Sequence, residues 1–251
     1  MNIDELLEYL TARNFSPNTI AACGSDLTQF AAFLRSSGTR VTTVTPKLIQ
    51  TYINQLNTGI EGEKPATATV WRKLASISSY YQFLRHQSDG KIRNPVTLVL
   101  RPKRRRGNPQ AIEDSQLDRL LGSITSPRDY ALIMLFLSSG LRLSELHQLN
   151  RDSIAVGKKP QADGSVRVIG SGSVLGKGNK QRTFLTDADT LTALGAYLRT
   201  RHDTCPALFI SNRGQCLSRR EIQHVLANWC ERAGLPKYHI HALRHSYARA
   251  C

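Results

Sequence analysis

Apolar positions in the first hundred residues recur every three or four places. Ile3, Leu6, Leu7 and Leu10 share one helical face, and Ile20, Cys23, Leu27, Phe30 and Leu34 share the next, up to Gly38. Ser16-Pro17 sets an N-cap hydroxyl ahead of a proline at the first helical position. Thr45-Pro46 repeats that signal before Ile49, Tyr52, Ile53 and Leu56. A fourth stripe, Val70, Leu74, Ile77, Tyr81 and Leu84, leaves Arg72, Lys73 and Arg85 near its edges. The pattern predicts a small helical bundle, with Tyr80 and Tyr81 in its core rather than forming a platform for stacked bases.

The period changes in the second half. Leu117, Leu120, Leu121 and Ile124 begin it at helical spacing, and Asp129 to Ser139 is apolar nearly all round, which predicts a buried central helix. From Ser153 to Leu185 the helical period is replaced by short runs (VRVI, SVL, RTFL) among glycines, predicting a small antiparallel sheet. Helical spacing returns at Leu191, Leu194 and Leu198. Ser218 with Glu221 forms a capping box for a last amphipathic stretch, Ile222, Val225, Leu226 and Trp229, that closes at Gly234. The fold class is therefore mainly α with a small antiparallel β-sheet. Between the halves lies NPVTLVLRPKRRRGNPQAI, whose prolines and whose Arg101, Lys103, Arg104, Arg105 and Arg106 make an exposed basic connection. The expected organisation is a helical domain over 1–98, a linker over 99–111 and a mixed domain over 112–251.

Charge narrows the function. The chain carries 34 basic and 19 acidic residues, a net +15 with pI ≈ 10.0, so a polyanion is the expected partner. Residues 1–111 hold a net +8 and the remainder +7, so both halves are basic, as in a protein that surrounds nucleic acid. The apolar run Tyr130 to Leu137 is too short to span a bilayer, and the acidic start MNIDELLEYL resembles neither a secretory signal nor a transit peptide. A cytoplasmic protein with no membrane partner is expected. Its five cysteines show no C-x-x-C pair and no ligand spacing, which points to reduced thiols and no metal site.

Three stretches of the second half carry candidate chemistry. In SSGLRLSEL, Arg142 follows a glycine that should end the buried helix, Ser144 is placed to cap the next one, and Glu145 lies within reach of Arg142. An arginine held at such a junction is costly unless it pairs or meets an anion. In GKGNKQR, glycines flank Lys177 in a tight turn, without the spacing of a nucleotide-binding P-loop. In HIHALRHSYARAC, His241 and Arg244 share one face of a helix beginning near Ile240, one titratable donor beside one fixed fork. Each stretch taken alone fits a bland alternative: a salt bridge, a basic hairpin tip, a chance His-x-x-Arg.

Taken together and in this order, GLRLSEL, GKGNKQR and HALRHSYA resemble the three most specific motifs of the tyrosine recombinase (phage integrase) family, most closely its Xer-like and integron-like members. SPNTIAACGSDLTQFAAFL resembles that family's core-binding domain, with Cys23 where a tyrosine is usual, and Asn94-Pro95 with the basic linker fits as well. The resemblance covers nearly the whole chain. It implies a helical, SAM-like core-binding domain and an α+β catalytic domain. The implied partner is double-stranded DNA with inverted core sites, and the implied assembly a tetramer of protomers on two DNA sites.

The implied chemistry is strand exchange through a 3′-phosphotyrosine, without ATP, metal or other cofactor. The transition state gathers negative charge on the phosphoryl oxygens, which arginine forks stabilise better than a lysine point charge. By the motif match Arg142 and Arg244 supply the forks, His241 assists proton transfer, Lys177 acts as general acid, and Glu145 orients Arg142. Arg72 and Lys73 of the fourth helix, with Arg101, Lys103, Arg104, Arg105 and Arg106, are the implied DNA contacts. Relatives carry the nucleophilic tyrosine beyond the HALRH helix. Tyr238 precedes the motif and Tyr247 sits at a packing position, so no nucleophile is expected in this chain, which reads as truncated before it. The alternative is a non-catalytic relative that occupies recombination sites.

Overall fold

The computed structural model describes residues 1–59, 64–103, 111–160, 165–176 and 180–250, and divides into two compact units, Met1–Arg106 and Gly107–Cys251.

The first unit is a helical bundle of α1 (Ile3–Ala12), α2 (Pro17–Ser36), α3 (Pro46–Thr58) and α4 (Thr67–Gln87). Both hydroxyl–proline starts work as expected. The Ser16 hydroxyl accepts the Thr19 N–H at 3.2 Å, and the Thr45 hydroxyl accepts that of Leu48 at 3.3 Å. Each satisfies an amide that the first helical turn leaves without a partner. The apolar stripes meet in one core, where Leu6, Leu27, Phe30, Ile49, Val70, Leu74 and Ile77 are almost wholly buried. Tyr80 and Tyr81 are buried too, and Tyr81 donates its hydroxyl to the Val41 carbonyl at 2.7 Å, so neither is a stacking platform.

The second unit is built around α6 (Pro127–Ser139), which packs against β3 (Gln181–Thr186), α8 (Ala188–Arg199) and α10 (Ile240–Ala250). Leu132, Ile133, Leu135 and Phe136 of α6 have no exposed surface, and burying each contributes roughly 1.5–3 kcal/mol. α5 (Asp114–Ser123) and α7 (Leu143–His147) both pack against α9 (Arg219–Arg232), where the expected Ser218–Glu221 capping box is present. Asp129, buried in the first turn of α6, accepts the Trp229 indole N–H at 2.9 Å and ties α6 to α9.

The sheet is antiparallel in the order β1–β2–β3, with β1 (Ala155–Pro160) paired to β2 (Val166–Leu175), and β2 to β3. VRVI and SVL, which read as separate runs, are one continuous strand. Gly170 and Gly172 join them because their positions have no room for a side chain. A Cβ at Gly172 would strike the Ser153 carbonyl and the Phe184 ring, and one at Gly170 would strike Thr186. The molecule is mainly helical with a small three-stranded antiparallel sheet. Among the described residues no helix is long and apolar enough to cross a membrane.

Candidate active site

The site begins where α6 stops. Gly140 ends the helix in the left-handed region (φ 56°, ψ 28°), and the chain turns through buried Leu141 into α7. Arg142 is the N-cap of α7, where Ser144 was expected. Glu145 explains the difference. From the third position of α7 its carboxylate reaches back to the Arg142 main-chain N–H at 2.7 Å, so the cap needs no hydroxyl. The same carboxylate accepts Arg142 Nη1 at 2.7 Å through its other oxygen.

A further arginine completes this arrangement. Arg182, on β3, donates Nη2 to Glu145 Oε2 at 2.6 Å and Nε to Oε1 at 3.3 Å. Glu145 is 1% exposed and accepts from two guanidiniums and an amide. Burial by itself would raise its carboxyl pKa. The hydrogen bonds from Arg182, and then from the Arg142 main chain and side chain, outweigh burial and hold it down at about 2. Gly176 lies over the pair, so that a Cβ there would come 3.6 Å from both Arg142 Nη1 and Glu145 Oε1. Its N–H bonds the Lys180 carbonyl at 2.8 Å and closes the base of the β2–β3 hairpin. Lys177, expected at the tip, lies outside the described residues.

Arg244 arrives from α10, an element held on two sides. The Ser246 hydroxyl accepts the Ile112 N–H at 3.0 Å, and the Tyr247 ring packs against Gly140. Arg244 lines a cavity of about 340 Å³ together with Ser139, Gly140, Arg182 and Tyr247. Its Nη1 is buried and has no hydrogen-bond partner among the described residues. Burial, then the positive charges of Arg142 and Arg182, lower its pKa from the ordinary guanidinium value. An acceptor placed at this donor would be favoured, since an unmade buried hydrogen bond costs roughly 1–3 kcal/mol. His241 stands one turn earlier on α10 and is exposed.

Arg142 and Arg182 share the Glu145 carboxylate, and Arg244 lies close enough to feel the charge of all three. Among the described residues no cluster of three or more His, Cys, Asp or Glu side chains could hold a metal ion.

The comparisons with known proteins agree with the motifs. Residues 110–250 match the model described as "Phage integrase family", and residues 3–88 match "Phage integrase, N-terminal SAM-like domain". The chain belongs to the phage integrase family. It is 32% identical to the "Tyrosine recombinase XerC" of Caldanaerobacter subterraneus subsp. tengcongensis over 275 residues, covering 98% of this chain and 73% of that one. Among solved structures it is similar in fold to a lambda integrase(75-356) dimer bound to a COC′ core site, with TM-score 0.75, 14% identity and coverage of 98% of this chain and 87% of that one. It is similar likewise to a lambda integrase tetramer bound to a Holliday junction, with TM-score 0.73, 15% identity and coverage of 98% and 70%.

In this integrase-family chain the residues expected to contact DNA from the first unit are placed differently from one another. Arg72 is half-exposed and donates Nη1 to Asp26 Oδ2 at 2.6 Å. Lys73 is buried, and this corrects its expected place on a binding face. Its ammonium is taken up by Asp26 at 3.2 Å and by Gln29. A lysine sealed inside the bundle survives there only with a counter-charge. Arg101 is exposed, its guanidinium 5.0 Å above the centre of the Trp71 ring, and Lys103 is exposed beside it. Arg104, Arg105 and Arg106 lie outside the described residues.

The sequence reading missed Arg182, Asp26 and Trp71. Arg182 had a signal: strand alternation puts it on the same inward face of β3 as Phe184 and Thr186, where a charged residue needs a reason.

Proposed function

We propose that this protein recombines DNA site-specifically, cleaving and rejoining strands through a 3′-phosphotyrosine. The observation that carries this is the buried, unpartnered Nη1 of Arg244 beside Arg142 and Arg182, which share the one carboxylate. Such a site holds a phosphodiester oxygen and strengthens its grip as charge gathers in the transition state. Arg142 and Arg244 act on the scissile phosphate, His241 assists proton transfer from its exposed place on α10, and Lys177 protonates the leaving 5′-oxygen. Glu145 holds Arg142 in register. The nucleophile is assigned to neither Tyr238, which bonds Gln116 at 2.8 Å, nor Tyr247, which packs on Gly140.

In this proposal residues 1–98 form the core-binding domain, 99–111 the linker and 112–251 the catalytic domain. Arg72, Arg101, Lys103, Arg104, Arg105 and Arg106 hold DNA phosphates. Four protomers act in the cytoplasm on two duplexes, each with inverted core sites. The DNA-bound dimer and the Holliday-junction tetramer of lambda integrase among the structural neighbours support this assembly.

The test uses protein expressed from the complete gene and duplexes selected from a randomised pool by their retention. A covalent protein–DNA adduct at a 3′-phosphate, lost in Arg142→Ala and in Arg244→Ala while duplex retention persists, is expected. Retention without any adduct favours a relative that occupies sites without cutting. No retention removes the proposal.

A further inference from the structure

The Glu145 carboxylate is fully used. Glu145 Oε1 accepts Arg142 Nη1 at 2.7 Å and Arg182 Nε at 3.3 Å, while Oε2 accepts the Arg142 N–H at 2.7 Å and Arg182 Nη2 at 2.6 Å. A carboxylate offers about four lone-pair sites, and four donors fill them. Arg244 is the guanidinium left over. It feels the charge of Glu145, yet no ion pair between the two is formed among the described residues. Arg182 is also bonded through Nη2 to the Gly140 carbonyl at 3.4 Å, so its fork is fixed from α6 as well as from α7.

A guanidinium with a buried Nη1 near a buried carboxylate with vacant lone pairs would turn onto it, because such a pair is poorly screened by water. An arginine collapsed in that way is neutralised and has no donor for a phosphate. We infer that Arg182 is a positioning residue: by saturating Glu145 it keeps Arg244 unpaired and open to a phosphoryl oxygen. Its action passes through Glu145 and needs no contact with the substrate. The inference deepens the phosphate-binding role proposed above and rests on it. It also gives a role to the arginine on the inward face of β3. A lysine could neutralise Glu145 but would bring a point charge in place of a fork matched to both oxygens.

The experiment follows the Nε–H signal of Arg244 by NMR in the ¹⁵N-arginine-labelled chain, assigned with Arg244→Lys, during titration with inorganic phosphate. In the unaltered protein the signal is expected to move and saturate. In Arg182→Gln it should start from a shifted, carboxylate-paired position and bind phosphate at least tenfold more weakly. Adding Glu145→Gln to that variant should restore most of the affinity, because the competing carboxylate is gone. A purely structural Arg182 predicts the opposite, a double variant no better than the single one. That result overturns the inference, as does an Arg182→Gln protein whose Arg244 binds as before. If Arg182→Gln does not fold, Arg182→Lys decides. It should bind at least threefold more weakly, and unchanged binding overturns the inference. An Arg244 signal in the unaltered protein that responds neither to phosphate nor to duplex DNA removes the phosphate-binding role itself, a failure distinct from that of any variant.

Discussion

The ring of Tyr247 lies against Gly140, so closely that a single methyl group on Gly140 would run into it. Gly140 is left-handed at φ 56° and stands two residues before Arg142, whereas Tyr247 stands three residues after Arg244. One contact therefore sets α10 against the turn that presents Arg142. Gly140→Ala should lower stability by about 2–4 kcal/mol, combining left-handed strain with overpacking. Urea unfolding measures the loss. Adding Tyr247→Leu should recover the overpacking part and leave the backbone part, because strain at φ 56° does not depend on the neighbour.

Asp26 is the charge at the centre of the first unit. It is 1% exposed and accepts from Arg72, Lys73 and Ser76. Asp26→Ala strands the Lys73 ammonium in the bundle and should cost about 3–5 kcal/mol. Lys73→Met, which keeps the stem packed, should cost less, because Asp26 retains Arg72 and Ser76. Chemical denaturation of the two variants gives the order, and a Lys73→Met protein weaker than Asp26→Ala would contradict it.

How much of this was legible beforehand depended on the range of the interactions. The helices of the first unit could be read because N-cap hydroxyls, prolines and apolar stripes act within a few residues of chain. Glu145 lay within one turn of Arg142, so their pairing was legible too. The α7 cap was misread because Ser144 is a good local cap, and the winning cap comes from a glutamate that Arg182, 37 residues away, also holds. Lys73 failed for the same reason. Beside a helix stripe it read as an edge residue, and its partner Asp26 belongs to another helix, 47 residues earlier. Gly170 and Gly172 suggested breaks in a strand, because the side chains that exclude a Cβ there come from elsewhere in the fold.

Acid should expose the charge network of the second unit. Glu145 is held at about 2, against 4.5 for the free carboxyl, so it binds fewer protons in the folded chain than in the unfolded one. Its contribution, on the order of 3 kcal/mol, is therefore complete above about pH 4.5 and is lost as the pH falls towards 2. Unfolding free energy measured from pH 7 to pH 2 should show little change from this group above pH 5 and a decline below it. In Arg182→Gln the largest hydrogen-bonding influence that lowers the carboxyl is gone. The two Arg142 hydrogen bonds remain and Arg244, turned onto Glu145 in that variant, replaces part of the loss, so the decline should start at a modestly higher pH.

Trp71 carries no charge, yet DNA affinity should depend on it. Its ring lies under the Arg101 guanidinium at 5.0 Å, and its indole N–H bonds the Pro102 carbonyl at 3.0 Å, so the start of the basic linker is fastened to α4. Arg72, the next residue of α4, is fastened in turn by Asp26. Two cations are thereby held on one helix before any duplex arrives, and ordering them on binding costs less than it would for free side chains. Arg101→Gln removes a phosphate contact and should reduce the slope of log affinity against log salt by about 0.9. Trp71→Ala removes no cation, so the slope should stay near that of the unaltered protein while affinity falls severalfold at every salt concentration. Filter retention of a short duplex across a salt series separates the two effects. A Trp71→Ala protein that binds as tightly as the unaltered one would mean that Arg101 needs no platform, and that the linker meets DNA as a loose basic tether.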